Sequence, residues 1–200
     1  MIYLLILFSY LVGAIPCGLL AAKSMGLDIR QAGSGNIGAT NVSRLLGKKL
    51  GLLTLLGDIA KAVVPMALAA WLLAGAADRG FWVAVCGGAA FLGHIFPVYL
   101  QFSGGKGVAT ALGVFLFLEP LAVLLSLLVF VAVVGRWHYI SLGSLVAAAV
   151  MPLWIWLLDG PDRHLALAFF TGALIWFKHR DNIGRLRRHE EKSWKKDDQS

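Results

Sequence analysis

The stretch VATALGVFLFLEPLAVLLSLLVFVAVV, residues 108–134, decides how the chain is organised. A helix that crosses the hydrocarbon layer needs about 20 apolar residues, so these 27 residues are ample for one crossing. Glu119-Pro120 interrupts them. Proline removes a helical hydrogen bond and restricts the residue before it, and a carboxylate at mid-membrane is costly. Read as one kinked helix, the stretch gives the chain six spans; read as two short helices, it gives seven.

Working outward, the other apolar runs lie at about 2–22, 50–74, 80–100, 140–158 and 163–178. Charge chooses between the two counts. With seven spans and the N-terminus outside, the inner segments hold Lys23, Arg30, Arg44, Lys48, Lys49, Lys106, Arg136 and the eight basic residues from Lys178 to Lys196. Fifteen of the eighteen Lys and Arg then lie inside, as the positive-inside bias requires. Six spans would separate the basic first loop from the basic tail. The fold expected is therefore an all-α integral membrane protein of seven transmembrane helices, N-terminus outside and C-terminus cytoplasmic. Residues 1–186 form its membrane domain and 187–200 a basic, solvated tail.

Composition agrees. Hydrophobic residues make up 58% and charged residues 14%, with mean hydropathy +0.76, whereas soluble domains average about 25% charged. Nothing basic precedes the first apolar run and no small-residue cleavage site follows it, so it reads as a retained span. Cys17 and Cys86 lie inside apolar runs without metal-ligand spacing and read as packing residues.

Three polar clusters remain. The first, Ala32-Gly-Ser-Gly-Asn-Ile-Gly-Ala-Thr-Asn41, interleaves glycine with Ser34, Asn36, Thr40 and Asn41 and is followed by Arg44. It reads as a loop whose N–H groups can approach an anion, beside a guanidinium suited to phosphate. The second is Gly93-His94-Ile-Phe-Pro97, then Phe102-Ser-Gly-Gly-Lys-Gly-Val-Ala-Thr110. Lys106 sits among Gly104, Gly105 and Gly107, and a helix starting near Val108 would aim its positive end at the same place. The third is His179-Arg-Asp-Asn-Ile-Gly-Arg-Leu186, which on a helix sets His179, Asn182 and Arg185 on one face. The seven-span topology puts all three on the cytoplasmic side, a site for one or two phosphate groups. Asp58 and Lys61 form an i,i+3 pair inside the second span, read as a mutually neutralising structural pair or as intramembrane functional charges.

These clusters resemble the three motifs of the bacterial acyl-phosphate glycerol-3-phosphate acyltransferases. Gly33–Asn41 is similar to G-S-G-N-x-G-A-T-N, Gly93–Pro97 with Phe102–Thr110 to G-H-x-F-P and F-x-G-G-K-G-V-A-T, and His179–Leu186 to H-R-x-N-I-x-R-L. The likeness spans nearly the whole chain and departs near its end, where His189 stands in place of an expected glycine. The resemblance implies acyl transfer from a fatty acyl phosphate to the sn-1 hydroxyl of glycerol 3-phosphate, giving lysophosphatidate and inorganic phosphate. Under it, Ser34, Gly35, Asn36, Thr40, Asn41, Arg44, Gly104, Gly105, Lys106, Gly107, His179, Asn182 and Arg185 bind the phosphates, with His179, Lys106 and Asn182 catalytic. His94, Asp58 and Lys61 would support them. The proton acceptor is either His179 or the substrate's own phosphate. No cofactor and no metal are expected, no carboxylate or histidine cluster being evident. The partners are the two substrates and membrane lipid, with no nucleic acid; a monomer suffices, in the bacterial cytoplasmic membrane. The main rival is a transporter for a phosphorylated metabolite, but its binding groups should lie near the midplane, whereas these cluster at one face. A G-x-S-G hydrolase is disfavoured because Ala32 occupies the first glycine position.

Overall fold

The computed structural model describes residues 1–194, whose regular elements are all helical. The chain forms two compact units, Met1–Leu118 and a second beginning at Glu119.

The first unit contains α1 (Ile2–Gly13), α2 (Cys17–Lys23), α3 (Ala39–Leu46), α4 (Lys48–Leu72), α5 (Arg79–Ile95) and α6 (Val108–Leu118). The first apolar run, expected as one continuous helix, is broken between Gly13 and Cys17. Pro16 is the reason, since it has no N–H to continue the ladder. Lys61 Nζ of α4 reaches into this break and donates to the Ile15 carbonyl at 2.9 Å. Small residues let these helices approach closely, as lipid-embedded helices require in the absence of a hydrophobic drive. A Cβ on Gly13 would lie 2.1 Å from the Ala90 carbonyl oxygen of α5, and one on Gly113 of α6 would lie 2.5 Å from the Ile59 carbonyl oxygen of α4. Tyr10 of α1 donates its hydroxyl to the Phe96 carbonyl at 2.7 Å, tying α1 to the chain just past α5.

The second unit contains α7 (Pro120–Trp137), α8 (Ile140–Asp159), α9 (Arg163–Lys178) and α10 (Arg180–Arg187). The 108–134 stretch is thus two helices, α6 ending at Leu118 and α7 starting at Pro120, which takes the first helical position where a missing N–H costs nothing. Asp162 caps α9 by accepting from the His164 and Leu165 N–H groups, both at 2.9 Å. Trp176 of α9 donates to the Leu145 carbonyl of α8 at 3.1 Å.

Among the described residues, five helical segments are long and apolar enough to cross a membrane: Ile2–Lys23, Lys48–Leu72, Arg79–Leu100, Pro120–Trp137 and Ile140–Asp159. Leu4, Leu56, Trp71, Leu128, Val131 and Phe169 stand exposed, an apolar exterior that water would not tolerate and lipid does. At 1.5 Å per residue, α6 is only about 16 Å long and α9 about 24 Å, both shorter than a hydrocarbon layer about 30 Å thick.

Beyond α10, His189, Glu190, Lys192, Ser193 and Trp194 are exposed, and the Trp194 backbone N–H donates to the His138 carbonyl at 2.7 Å. Residues 195–200, the rest of the expected tail, lie outside the described residues.

Candidate active site

The first glycine cluster is half loop and half helix. Gly33 and Gly35 take positive φ, +65° and +69°, and α3 begins at Ala39 with Gly38 as its cap, so that Thr40 and Asn41 lie on the helix instead of in the expected loop, with Arg44 one turn further along it. Asn41 explains how the loop holds its shape. Almost wholly buried, it accepts from the Ser34 N–H at 3.0 Å and donates to the Ala32 and Asn36 carbonyls at 3.1 and 3.0 Å. Asn36 in turn accepts from the Gly38 N–H at 2.9 Å. Both asparagines, expected to hold phosphate, therefore have amide groups bonded within the loop itself. Ser34, Gly35 and Arg44 are exposed, and Thr40 is half-buried at the helix start. The first N–H groups of a helix have no internal acceptor and carry partial positive charge.

The second cluster follows α5 in the same unit. Leu100, between its two halves, packs on the apolar core formed by Leu19, Ala22, Ile29, Ile37 and Val42, which also carries the first loop. Gly104 and Gly105 lie against the end of α5: the Gly105 N–H donates to the His94 carbonyl at 3.2 Å. Gly107 has φ +83° with no room for a Cβ beside the Phe91 ring, and α6 starts directly after it. Lys106 is half-buried within this turn, and the first N–H groups of α6 face back along it.

The Asp58–Lys61 pair is present, with Nζ 2.9 Å from Asp58 Oδ1 and both side chains almost fully buried. It is a cluster of three, because His94 Nδ1 lies 3.7 Å from the same oxygen. Lys61 serves both the ion pair and the α1–α2 break.

The third cluster lies in the second unit. His179 joins α9 to α10 and is 3% exposed. Its Nδ1 is 2.8 Å from the Ile175 carbonyl oxygen. A carbonyl only accepts, so Nδ1 carries a proton and Nε2 is the nitrogen left to face other groups. One turn on, Asn182 Nδ2 donates to Glu191 Oε1 at 2.6 Å, and Arg185 Nε donates to Glu191 Oε2 at 2.7 Å. Burial alone would raise the Glu191 pKa, but its polar neighbours Asn182, Ser141 and Arg185 outweigh this and hold it below the usual carboxylate range. The chain returns through His189 at φ +59°, the position where glycine is expected. Sequence reasoning missed Glu191; the available signal was a pair of acids in an otherwise basic segment, directly after a turn position.

A histidine–carboxylate group also forms where none was evident in the sequence. Glu119, Asp162 and His164 bring one ligand atom each within 4.8 Å of one another, with His164 Nδ1 at 2.5 Å from Glu119 and 3.3 Å from Asp162. These contacts link the starts of α7 and α9.

In this helical membrane protein the first unit carries two glycine loops at helix starts, one followed by Arg44 and the other holding Lys106, groups suited to anions; the second unit carries the oriented His179. The chain matches the family model described as glycerol-3-phosphate acyltransferase over residues 3–189. It is 56% identical over 190 residues to a glycerol-3-phosphate acyltransferase of Desulfotalea psychrophila, covering 95% of this chain and 96% of that protein. To the glycerol-3-phosphate acyltransferase of Geobacter sulfurreducens it is 50% identical over 187 residues, covering 94% of each. Among solved structures, it is similar to crystal structures of PlsY (YgiH), an integral membrane glycerol 3-phosphate acyltransferase, at 39% identity. The glycerol 3-phosphate form gives a TM-score of 0.90, covering 97% of this chain and 96% of that one; the lysophosphatidic acid form gives 0.87, covering 96% and 94%. The chain belongs to the PlsY family of integral membrane glycerol-3-phosphate acyltransferases, enzymes of phospholipid biosynthesis.

Proposed function

We propose that the chain transfers a fatty acyl group from an acyl phosphate to the sn-1 hydroxyl of glycerol 3-phosphate, at the cytoplasmic face of the bacterial inner membrane. The hydroxyl oxygen attacks the acyl carbonyl carbon, the bond from that carbon to the phosphate oxygen breaks, and inorganic phosphate leaves. Lysophosphatidate is the other product. The observation that carries this reading is the pair of glycine loops at the starts of α3 and α6, with Arg44 and Lys106, in one membrane-embedded unit. Both substrates bear phosphate, and such helix starts bind it. The related crystal structures are described in glycerol 3-phosphate and lysophosphatidic acid forms, a substrate and a product of this reaction.

Ser34, Gly35, Arg44 and the Gly104–Gly107 turn with Lys106 take the two phosphates, and the likeness of the third motif assigns His179 and Arg185 to the same substrates. Asn36 and Asn41 serve the site by shaping the first loop; Thr40, at the start of α3, adds to the phosphate-binding groups, and Asn182 is catalytic beside His179 in the third motif. Donors fixed before the reaction stabilise developing charge without reorganising, and holding two substrates together supplies much of the rate. The acyl phosphate is already activated, so no covalent intermediate with the protein is needed. His179 Nε2 accepts the hydroxyl proton, unless a substrate phosphate does so. The protein crosses the membrane seven times with its N-terminus outside, α6 and α9 being the short crossings; the distribution of Lys and Arg supports this.

The test is phosphate release by the purified protein supplied with palmitoyl phosphate and glycerol 3-phosphate. Release should require both substrates, yield lysophosphatidate, and be lost in Lys106→Ala. A well-folded protein that releases none would overturn the acyl-phosphate reading and favour transport of a phosphorylated metabolite.

A further inference from the structure

Asp58 lies about 15 Å along α4 at 1.5 Å per residue, 2% exposed. A carboxylate so placed is expensive unless paired. Lys61 is one partner, at 2.9 Å, and its second bond to the Ile15 carbonyl gives it a structural reason of its own. His94, 3.7 Å from the same Asp58 oxygen, needs a different explanation. An apolar side chain would fill that volume in the last turn of α5 at less cost.

The other side of the His94 ring supplies the explanation. A Cβ on Gly105 would stand 2.2 Å from His94 Nε2 and 2.8 Å from Cε1, and one on Gly104 would stand 2.1 Å from the His94 carbonyl oxygen. That same carbonyl accepts the Gly105 N–H. His94 is therefore the bed on which Gly104–Gly105 rests, and Lys106 is the next residue. An imidazole can face Asp58 with one nitrogen and the loop with the other, so its tilt is set from α4 while its edge sets the height of the loop.

We propose that His94 is a positioning residue for the Gly104–Gly107 loop: Asp58 orients the ring, and the ring fixes where Lys106 and the loop N–H groups meet substrate phosphate. The inference rests on the reading of that loop as phosphate-binding. Gly105 is then required because the ring occupies the space of any side chain there.

The test is a double-mutant cycle between positions 94 and 105, with initial rates at varied glycerol 3-phosphate and palmitoyl phosphate. Gly105→Ala should lose about 100-fold in kcat/KM, the scale of a 1 Å misplacement. His94→Ala should raise KM for one phosphate substrate about tenfold or more with kcat within about threefold, the mark of lost binding and not of lost chemistry. The double variant should recover at least about tenfold over Gly105→Ala, because the clash has gone. His94→Asn, which keeps a polar atom towards Asp58, should fall between wild type and His94→Ala, and Asp58→Asn should be non-additive with it. Additive effects in the 94–105 cycle, or a loss confined to kcat, would overturn the proposal. Should wild type show no turnover, the functional reading itself fails. The contact is then judged by thermal unfolding of the same variants: Gly105→Ala must be destabilised and regain stability in the His94→Ala background, and additivity there overturns it.

Discussion

Glu191 is the residue on which the third cluster depends, and removing it should unfold that region first. Its side chain is 6% exposed and accepts from Asn182 at 2.6 Å and from Arg185 at 2.7 Å. A hydrogen bond to a charged group is worth about 1.5–3 kcal/mol. Arg185 is about a third exposed, so its share belongs at the lower end. Glu191→Ala should therefore cost about 3 kcal/mol, about 6–12 °C in Tm for a chain of this size. Glu191→Gln retains one acceptor but turns an NH2 group towards one of the two donors, so it should recover less than half of the loss. The charge gives a second check. The folded pKa of Glu191 lies below the unfolded one, so its contribution is fully present above the unfolded carboxylate value, about 4.3. It is lost as pH falls through the folded value. The gap between wild type and Glu191→Gln should thus be full at pH 7 and close in acid. Tryptophan fluorescence during thermal melts in detergent, repeated across pH, measures both effects. A Glu191→Ala protein melting within about 2 °C of wild type would refute the reasoning.

His189→Gly removes the strain of φ +59° at a non-glycine residue, about 1–2 kcal/mol, against the added freedom of glycine in the unfolded chain, about 0.5–1 kcal/mol. A net gain of about 0.5–1 kcal/mol should appear as a higher Tm in the same melts. Asn41→Ala deletes three hydrogen bonds of the first loop, each worth about 1 kcal/mol; Tm should fall, and KM for a phosphate substrate should rise more than kcat falls in the release assay. Lys61→Ala leaves Asp58 buried beside His94 with its closest cation gone and should cost about 3–5 kcal/mol, read as a drop in Tm and in folded yield.

How much of this was legible follows from the physics of each signal. The long apolar runs and the break at Glu119-Pro120 are one-dimensional signals, and the two helices α6 and α7 follow directly from them. Pro16 carried the same signal, yet its break was hidden because the surrounding residues are apolar and the run reads as continuous. The glycine clusters announced a loop, but not that Asn41 would turn inward to staple it, since an asparagine bonding backbone and one bonding a ligand look alike in sequence. Asp58 and Lys61 were visible as i,i+3 neighbours, whereas His94 is 36 residues from Asp58 and joins them only through the packing of α5 on α4. Glu191 was masked by the basic residues around it, whose charge suggested a solvated tail.

The polar features of this chain share a cause in the backbone. Apolar surroundings leave no water to satisfy a helix that stops, so each interruption must be closed by a side chain or turned towards a ligand. At the Pro16 break the carbonyl of Ile15 is met by Lys61. At the first glycine cluster, Asn41 takes the Ala32 and Asn36 carbonyls and one N–H, while the starts of α3 and α6 keep N–H groups directed at the loops before them. Carbonyls are thus closed internally by Lys and Asn, and helix starts are what remains for anions. On the function proposed above, building the first unit from broken helices supplies the ground for phosphate by the same economy that lets it fold in lipid. Continuous helices of equal hydropathy would be more stable and would have nothing with which to hold a substrate.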